Sequence, residues 1–178
     1  MTAVHVAAWL LFGAAFIYLE VLLAWSSVSE SGVAILDLQP YWTVEIAKRT
    51  LGELGQSRVK DYMQIEQSLD LVFPIIYACL FAVSIDATAP HGASRFRRFA
   101  LVLPSIAAAA DFFENTAIIA LCRQHLGGDV AMPTHVFVAG HIATPLKWCS
   151  IVASVLVIVV SVIRGCCKRT GKAREHEQ

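Results

Sequence analysis

Four long apolar stretches constrain the fold of this chain more than any other feature. A bilayer core is about 30 Å thick and is crossed by about 20 apolar residues in a helix. Only 16% of the 178 residues are charged, whereas a soluble domain carries about 25%. The sequence therefore predicts an all-α integral membrane four-helix bundle, with spans at about 7–25, 69–86, 99–122 and 137–163.

The distribution of basic residues predicts the orientation of these spans. Segment 95–98 contains three arginines and the tail 164–178 contains five Lys or Arg residues. Because such residues accumulate on the cytoplasmic side, we expect both termini to be cytoplasmic and loops 26–68 and 123–136 to lie outside. The first eight residues contain no Lys or Arg, so the first span is expected to stay in place and not to be cleaved as a signal peptide.

The outer loop 26–68 carries its own helical signals. Thr43 is a suitable N-cap for a helix that Gly55 would stop, and the segment after Gly55 can form a second helix that continues into the second span, where Pro74 would bend it. The first of these helices is interpreted either as an amphipathic lid on the membrane surface or as a structured connector.

Acidic residues interrupt the third apolar stretch. Asp111, Glu114 and Asn115 stand at positions i, i+3 and i+4, so a helix places them on one face. A charge inside a bilayer costs several kcal/mol unless it has a partner or water. The stripe therefore predicts an intramembrane functional site or, as a second interpretation, an ion pair that only holds helices together. Asn115 alone is typical of a hydrogen bond between helices.

The fourth stretch carries a second polar stripe. His141, Thr144, Lys147 and Trp148 are spaced by three, three and one, which is expected to keep them on one side of a helix. With a rise of about 1.5 Å per residue, Lys147 stands roughly 26 Å above the inner edge of its span and Glu114 roughly 24 Å above the inner edge of the third span. We therefore expect the two stripes to face each other, with Lys147 as the counter-ion of the acids.

Two more acids stand in the outer half of their spans, Glu20 in the first and Asp70 in the second. Either they join the polar site or they reach water at the interface. If both join the polar site, the four carboxyl groups of the site face Lys147 alone. Like charges close together cannot all ionise, so at least one carboxyl is expected to be protonated near neutral pH. A neutral acid beside a charged one is the arrangement used in acid–base catalysis and in proton relays.

Other classes of function have little support. The sequence contains no H-E-x-x-H or H-x-x-E-H spacing, no P-loop, no G-x-S-x-G and no G-x-G-x-x-G. Ligation of a metal by His141 with Glu114 or Asp111 is the weaker alternative, so no metal site is predicted and no cofactor is assigned. A formal net charge of zero gives no indication of nucleic-acid binding.

Three segments carry a resemblance to a known group of proteins. D-x-x-E-N at 111–115, T-x-x-K-W at 144–148 and LDLVFP at 69–74 resemble small four-span membrane proteins of bacteria and microbial eukaryotes. The resemblance implies the fold and no particular activity. The sterol-isomerase and sigma-2-receptor superfamily, with buried acids around an apolar ligand, offers an analogy only, because its acidic motifs do not align with these positions.

These patterns lead to one functional hypothesis and two alternatives. The first is a polar pocket in the outer leaflet half that binds a small amphipathic or lipid-like molecule and acts on it by proton transfer. The alternatives are a structural subunit that assembles with a partner membrane subunit or a second copy, and a proton-coupled carrier. The candidate catalytic residues are Asp111, Glu114 and Lys147, and the candidate ligand-binding residues are Asn115, His141, Thr144, Trp148, Asp70 and Glu20.

Overall fold

The computed structural model describes Trp9, residues 35–89, 94–128, Val136 and 138–175, with side chains up to Gly165 apart from Ser94. All regular structure in these ranges is helical, which confirms the predicted all-α class for the part described. A 3-10 turn and a π-helical turn accompany three long helices. The elements are the 3-10 turn Leu36–Leu38, helix α1 (Val44–Thr88), helix α2 (Ser94–Gly127), the π turn Ala139–Ala143 and helix α3 (Thr144–Glu175).

The three long helices correspond to the predicted second, third and fourth spans. Each is long and apolar enough to cross a membrane. Many of their large apolar side chains are exposed, among them Val72, Phe99 and Leu156, as expected of helices that face lipid. Of the predicted first span, 7–25, only Trp9 belongs to the described residues. The predicted first span, which would supply the fourth helix of the bundle, therefore lies outside the described residues apart from Trp9, and so does Glu20.

Helix α1 begins at the predicted cap and is interrupted at the predicted glycine. The Thr43 hydroxyl accepts a hydrogen bond from the backbone N–H of Ile46 at 3.2 Å and so caps the N-terminus. Gly55 has φ 75° and ψ 161°, a left-handed conformation that favours glycine. α1 is thus two helical segments joined at Gly55, and the second continues through Pro74.

Segment 35–42 packs on α1 and α2 as part of the core. Ile35, Leu36 and Trp42 are fully buried, and they join a hydrophobic cluster with Leu51 of α1 and Ile118 of α2. The first segment of α1 contributes Ala47, Leu51 and Leu54 to the same cluster. This packing brings the 3-10 turn close to the middle of α1.

The π turn before α3 packs directly against Trp42. The backbone N–H of Trp42 donates a hydrogen bond to the carbonyl of Gly140 at 3.3 Å. A Cβ atom added at Gly140 would lie 2.2 Å from the Trp42 carbonyl oxygen and 2.5 Å from its ring. Only glycine allows this approach, which sets the position of the N-terminus of α3.

Candidate functional site

The two predicted polar stripes meet in a buried ion-pair cluster, here called the lysine site: Asp111, Glu114 and Lys147. The Lys147 Nζ atom lies 3.2 Å from Asp111 Oδ1 and 2.5 Å from Glu114 Oε2. The three residues are between 0% and 5% exposed. The prediction that Lys147 is the counter-ion of the acids of the third span is confirmed.

Neutral donors complete the coordination of both carboxylates. The Tyr77 hydroxyl donates to Asp111 Oδ2 at 2.9 Å. Glu114 Oε1 accepts from the Thr144 hydroxyl at 2.5 Å and from the Trp42 indole N–H at 3.2 Å. The lysine donates to Asp111 Oδ1, whereas Glu114 Oε2 has no hydrogen-bond donor among the described residues and is held by its ion pair with Lys147 Nζ. The lysine site therefore joins α1, α2, α3 and the segment before α1 through buried polar contacts.

Three more acids form a second cluster, here called the acidic site: Asp37, Glu66 and Asp70. Asp37 belongs to the 3-10 turn, whereas Glu66 and Asp70 lie one helical turn apart on α1. One carboxylate oxygen from each lies within 4.8 Å of the others. The residues are 7%, 1% and 7% exposed, respectively. Of the three, only Asp70 was predicted to belong to a site.

The acidic site is only partly satisfied by its neighbours. The Tyr62 hydroxyl donates to Asp37 Oδ1 at 2.7 Å, and the Asn115 amide nitrogen donates to the backbone carbonyl of Asp70 at 2.9 Å. Two buried acceptors, Glu66 Oε2 and Asn115 Oδ1, have no hydrogen-bond donor among the described residues. Buried polar atoms in folded proteins are nearly always paired, so these two oxygens indicate a missing partner.

Charge is also unbalanced across the two clusters. They contain five buried carboxyl groups, and Lys147 is the only buried Lys, Arg or His in the described ranges. Burial raises the pKa of the Asp37 carboxyl, while the positive charge of Lys147 and the hydrogen bond from Tyr62 oppose this rise. One ammonium balances one carboxylate. The remaining acids therefore need protons or a bound cation.

The other predicted site residues have different surroundings. His141 is exposed and lies edge-on to the ring of Tyr41, with 6.4 Å between centroids. It belongs to the π turn, whose longer helical repeat separates it from the buried face of Thr144 and Lys147. Trp148 is half-buried, its ring centroid is 5.6 Å from Lys147 Nζ, and its indole N–H has no acceptor among the described residues.

Several residues of the two clusters were missed in the sequence: Asp37, Trp42, Tyr62, Glu66 and Tyr77. The residues of α1 could have been found from their spacing. Tyr62, Glu66 and Asp70 follow one another at intervals of four residues, and Tyr77 lies seven residues after Asp70. This spacing is typical of one helical face. The buried residues of α1 do follow that stripe. Asp37 and Trp42 have no such signal, because the packing of segment 35–42 on the helices brings them to the site.

Comparison of the chain with known protein families, with curated proteins and with solved structures finds no match. The short motifs at 111–115 and 144–148 carry no activity with them. The arrangement of the lysine site and the acidic site is therefore the basis for assigning a function.

Proposed function

We propose that this protein is a four-span integral membrane protein, with both termini in the cytoplasm, that binds a small amphipathic or lipid-like molecule. Its polar head would enter the acidic site in the outer leaflet half, and its apolar part would lie along the helices. The observation that carries the proposal is the excess, within the described ranges, of five buried carboxyl groups over one buried lysine. Ionisable groups held inside a membrane commonly mark substrate or ion sites.

The two clusters have different roles in this proposal. The oxygens of Asp111 and Glu114 are already engaged by described partners, so the lysine site holds the helices and positions the binding site. Glu66 Oε2 and Asn115 Oδ1 have no donor among the described residues and could accept hydrogen bonds from a ligand. A carboxyl group with a free oxygen can also exchange a proton with a ligand. Proton transfer is therefore assigned to Glu66 in preference to Glu114.

A structural or assembly role is the second candidate, and the many contacts of the lysine site between helices favour it. Its contacts connect Trp42, Tyr77 of α1, Glu114 of α2 and Thr144 of α3. Such a network orders helices without any ligand. In this role the exposed apolar faces would bind a partner membrane subunit or a second copy of the chain.

Native mass spectrometry of the protein extracted in mild detergent distinguishes the two candidates. Wild type is compared with Glu66→Gln, which preserves shape and removes one carboxyl group, and with Glu53→Gln as the matched control, because Glu53 is exposed on α1. We expect a bound small molecule in wild type and in the control, and its loss in Glu66→Gln. Circular dichroism and the thermal midpoint of unfolding verify that each variant is folded.

Each other outcome has a defined meaning. A molecule retained equally by Glu66→Gln would reject the acidic site as its binding site. Protein without any bound molecule in all three samples would overturn the ligand-binding function. A second polypeptide that accompanies all three samples would support the assembly role instead.

A further inference from the structure

The spacing of the acidic site matches that of the ligands of one metal ion. Hard divalent cations bind carboxylate oxygens at about 2.0–2.6 Å, so two ligands of one ion are at most about 5 Å apart. The oxygens of Asp37, Glu66 and Asp70 lie within 4.8 Å of one another. Clusters of acids are common on exposed surfaces, but these three residues are buried. Burial of three carboxyl groups together is costly unless positive charge or protons accompany them.

A second observation points to an occupant. Glu66 is 1% exposed, belongs to the cluster, and has its Oε2 atom without a donor among the described residues. Asn115 donates its amide nitrogen to the Asp70 carbonyl and leaves its Oδ1 atom unpartnered and buried. A cation in the acidic site would satisfy Glu66 and balance charge that Lys147 does not.

Surrounding contacts hold the three acids in place. The Tyr62 hydroxyl donates to Asp37 Oδ1, and Asn115 donates to the backbone carbonyl of Asp70. Leu36, next to Asp37, is packed in the same hydrophobic cluster as Leu51 of α1. Such outer contacts orient metal ligands and strengthen binding. The site is therefore built before any ion arrives.

We propose that the acidic site binds one hard divalent cation, of the class of Mg²⁺, Mn²⁺ or Ca²⁺, through Asp37, Glu66 and Asp70. The ligand set contains oxygen only, which selects these ions over softer metals. Its open coordination positions take water or the oxygen atoms of a ligand head group. Only the binding of a ligand head group to the metal ion rests on the proposed function. Helical spacing indicates only the α1 part of this site, because Asp37 comes from a turn that is distant along the chain.

Mn²⁺ binding to chelator-treated protein in detergent tests the proposal, with free Mn²⁺ measured by electron paramagnetic resonance. We expect wild type to bind about one ion per chain, with Mg²⁺ or Ca²⁺ competing. Glu66→Gln and Asp70→Asn should each weaken binding at least about tenfold. Asp61→Asn is the matched control, because Asp61 is an exposed acid of α1, and it should bind as wild type does.

The absence of saturable Mn²⁺ binding to wild type would overturn the proposal, and so would equal binding by wild type and Glu66→Gln. Wild type alone gives a second readout that does not depend on the folding of a variant, because Mn²⁺ should raise its thermal midpoint and chelator should lower it. Metal binding without a co-purified small molecule would reject the proposed function and keep the metal site. A small molecule whose binding depends on Glu66, found without metal binding, would reject the metal site and keep the proposed function.

Discussion

Removal of the Lys147 ammonium is the sharpest test of the lysine site. Lys147→Met keeps much of the side-chain volume and leaves the buried carboxylates of Asp111 and Glu114 without their cation. Breaking a buried ion pair by removal of one partner costs about 3–5 kcal/mol. For a chain of this length each kcal/mol lowers the thermal midpoint by about 2–4 °C, so we expect a decrease of about 6–20 °C.

The assay is thermal unfolding in detergent, followed by circular dichroism. Lys60→Met is the matched control, because Lys60 is exposed on α1, and its midpoint should stay within about 2 °C of wild type. When Asp111→Asn and Glu114→Gln are added to Lys147→Met, the uncompensated charge disappears and most of the loss should be recovered. If Lys147→Met unfolds at the same temperature as Lys60→Met, the reasoning that Lys147 balances the two carboxylates is wrong.

Two further changes test the contacts around the lysine site. Gly140→Ala places a Cβ 2.2 Å from the Trp42 carbonyl oxygen, so the backbone must shift; we expect a loss of about 1–3 kcal/mol, measured by thermal unfolding, and a change in tryptophan fluorescence. Tyr77→Phe removes the donor to Asp111 Oδ2 and should cost about 1.5–3 kcal/mol, because the acceptor is a buried charged group; thermal unfolding measures this as well.

Each of these changes has a control of the same chemistry. Gly52→Ala meets no atom within 4 Å and should leave the midpoint unchanged or raise it, since alanine favours a helix. Tyr41→Phe alters a ring that is 52% exposed and should have little effect. A Gly140→Ala midpoint equal to that of Gly52→Ala would contradict the close contact with Trp42. Equal midpoints for Tyr77→Phe and Tyr41→Phe would remove Tyr77 from the site.

The lysine site shows what helical periodicity can predict. Asp111 and Glu114 share a face by their spacing, and counting the rise per residue places Lys147 at a matching depth. The structure joins the three side chains as expected. The prediction succeeded because, for two neighbouring helices, the helical face and the depth of each residue are enough to define a contact.

His141 shows where the same rule fails. The prediction assumed a regular helix from His141 to Trp148, but residues 139–143 form a π turn. The close approach of Gly140 to Trp42 accompanies this turn. A local change of helical repeat moves His141 to an exposed position beside Tyr41. A prediction from helical periodicity cannot include this change of repeat, because the change accompanies the packing of Trp42, which is distant along the chain.

The sequence by itself determined the helical class, the apolar lengths of the three described helices and the partners of Lys147, because these depend on composition and on helical spacing along one chain segment. Only the tertiary structure decided the acidic site. Asp37 meets Glu66 and Asp70 because Leu36 and Trp42 are buried against α1 and α2. The position of a loop is set by the surfaces that it can bury, and those surfaces exist only after the helices have packed.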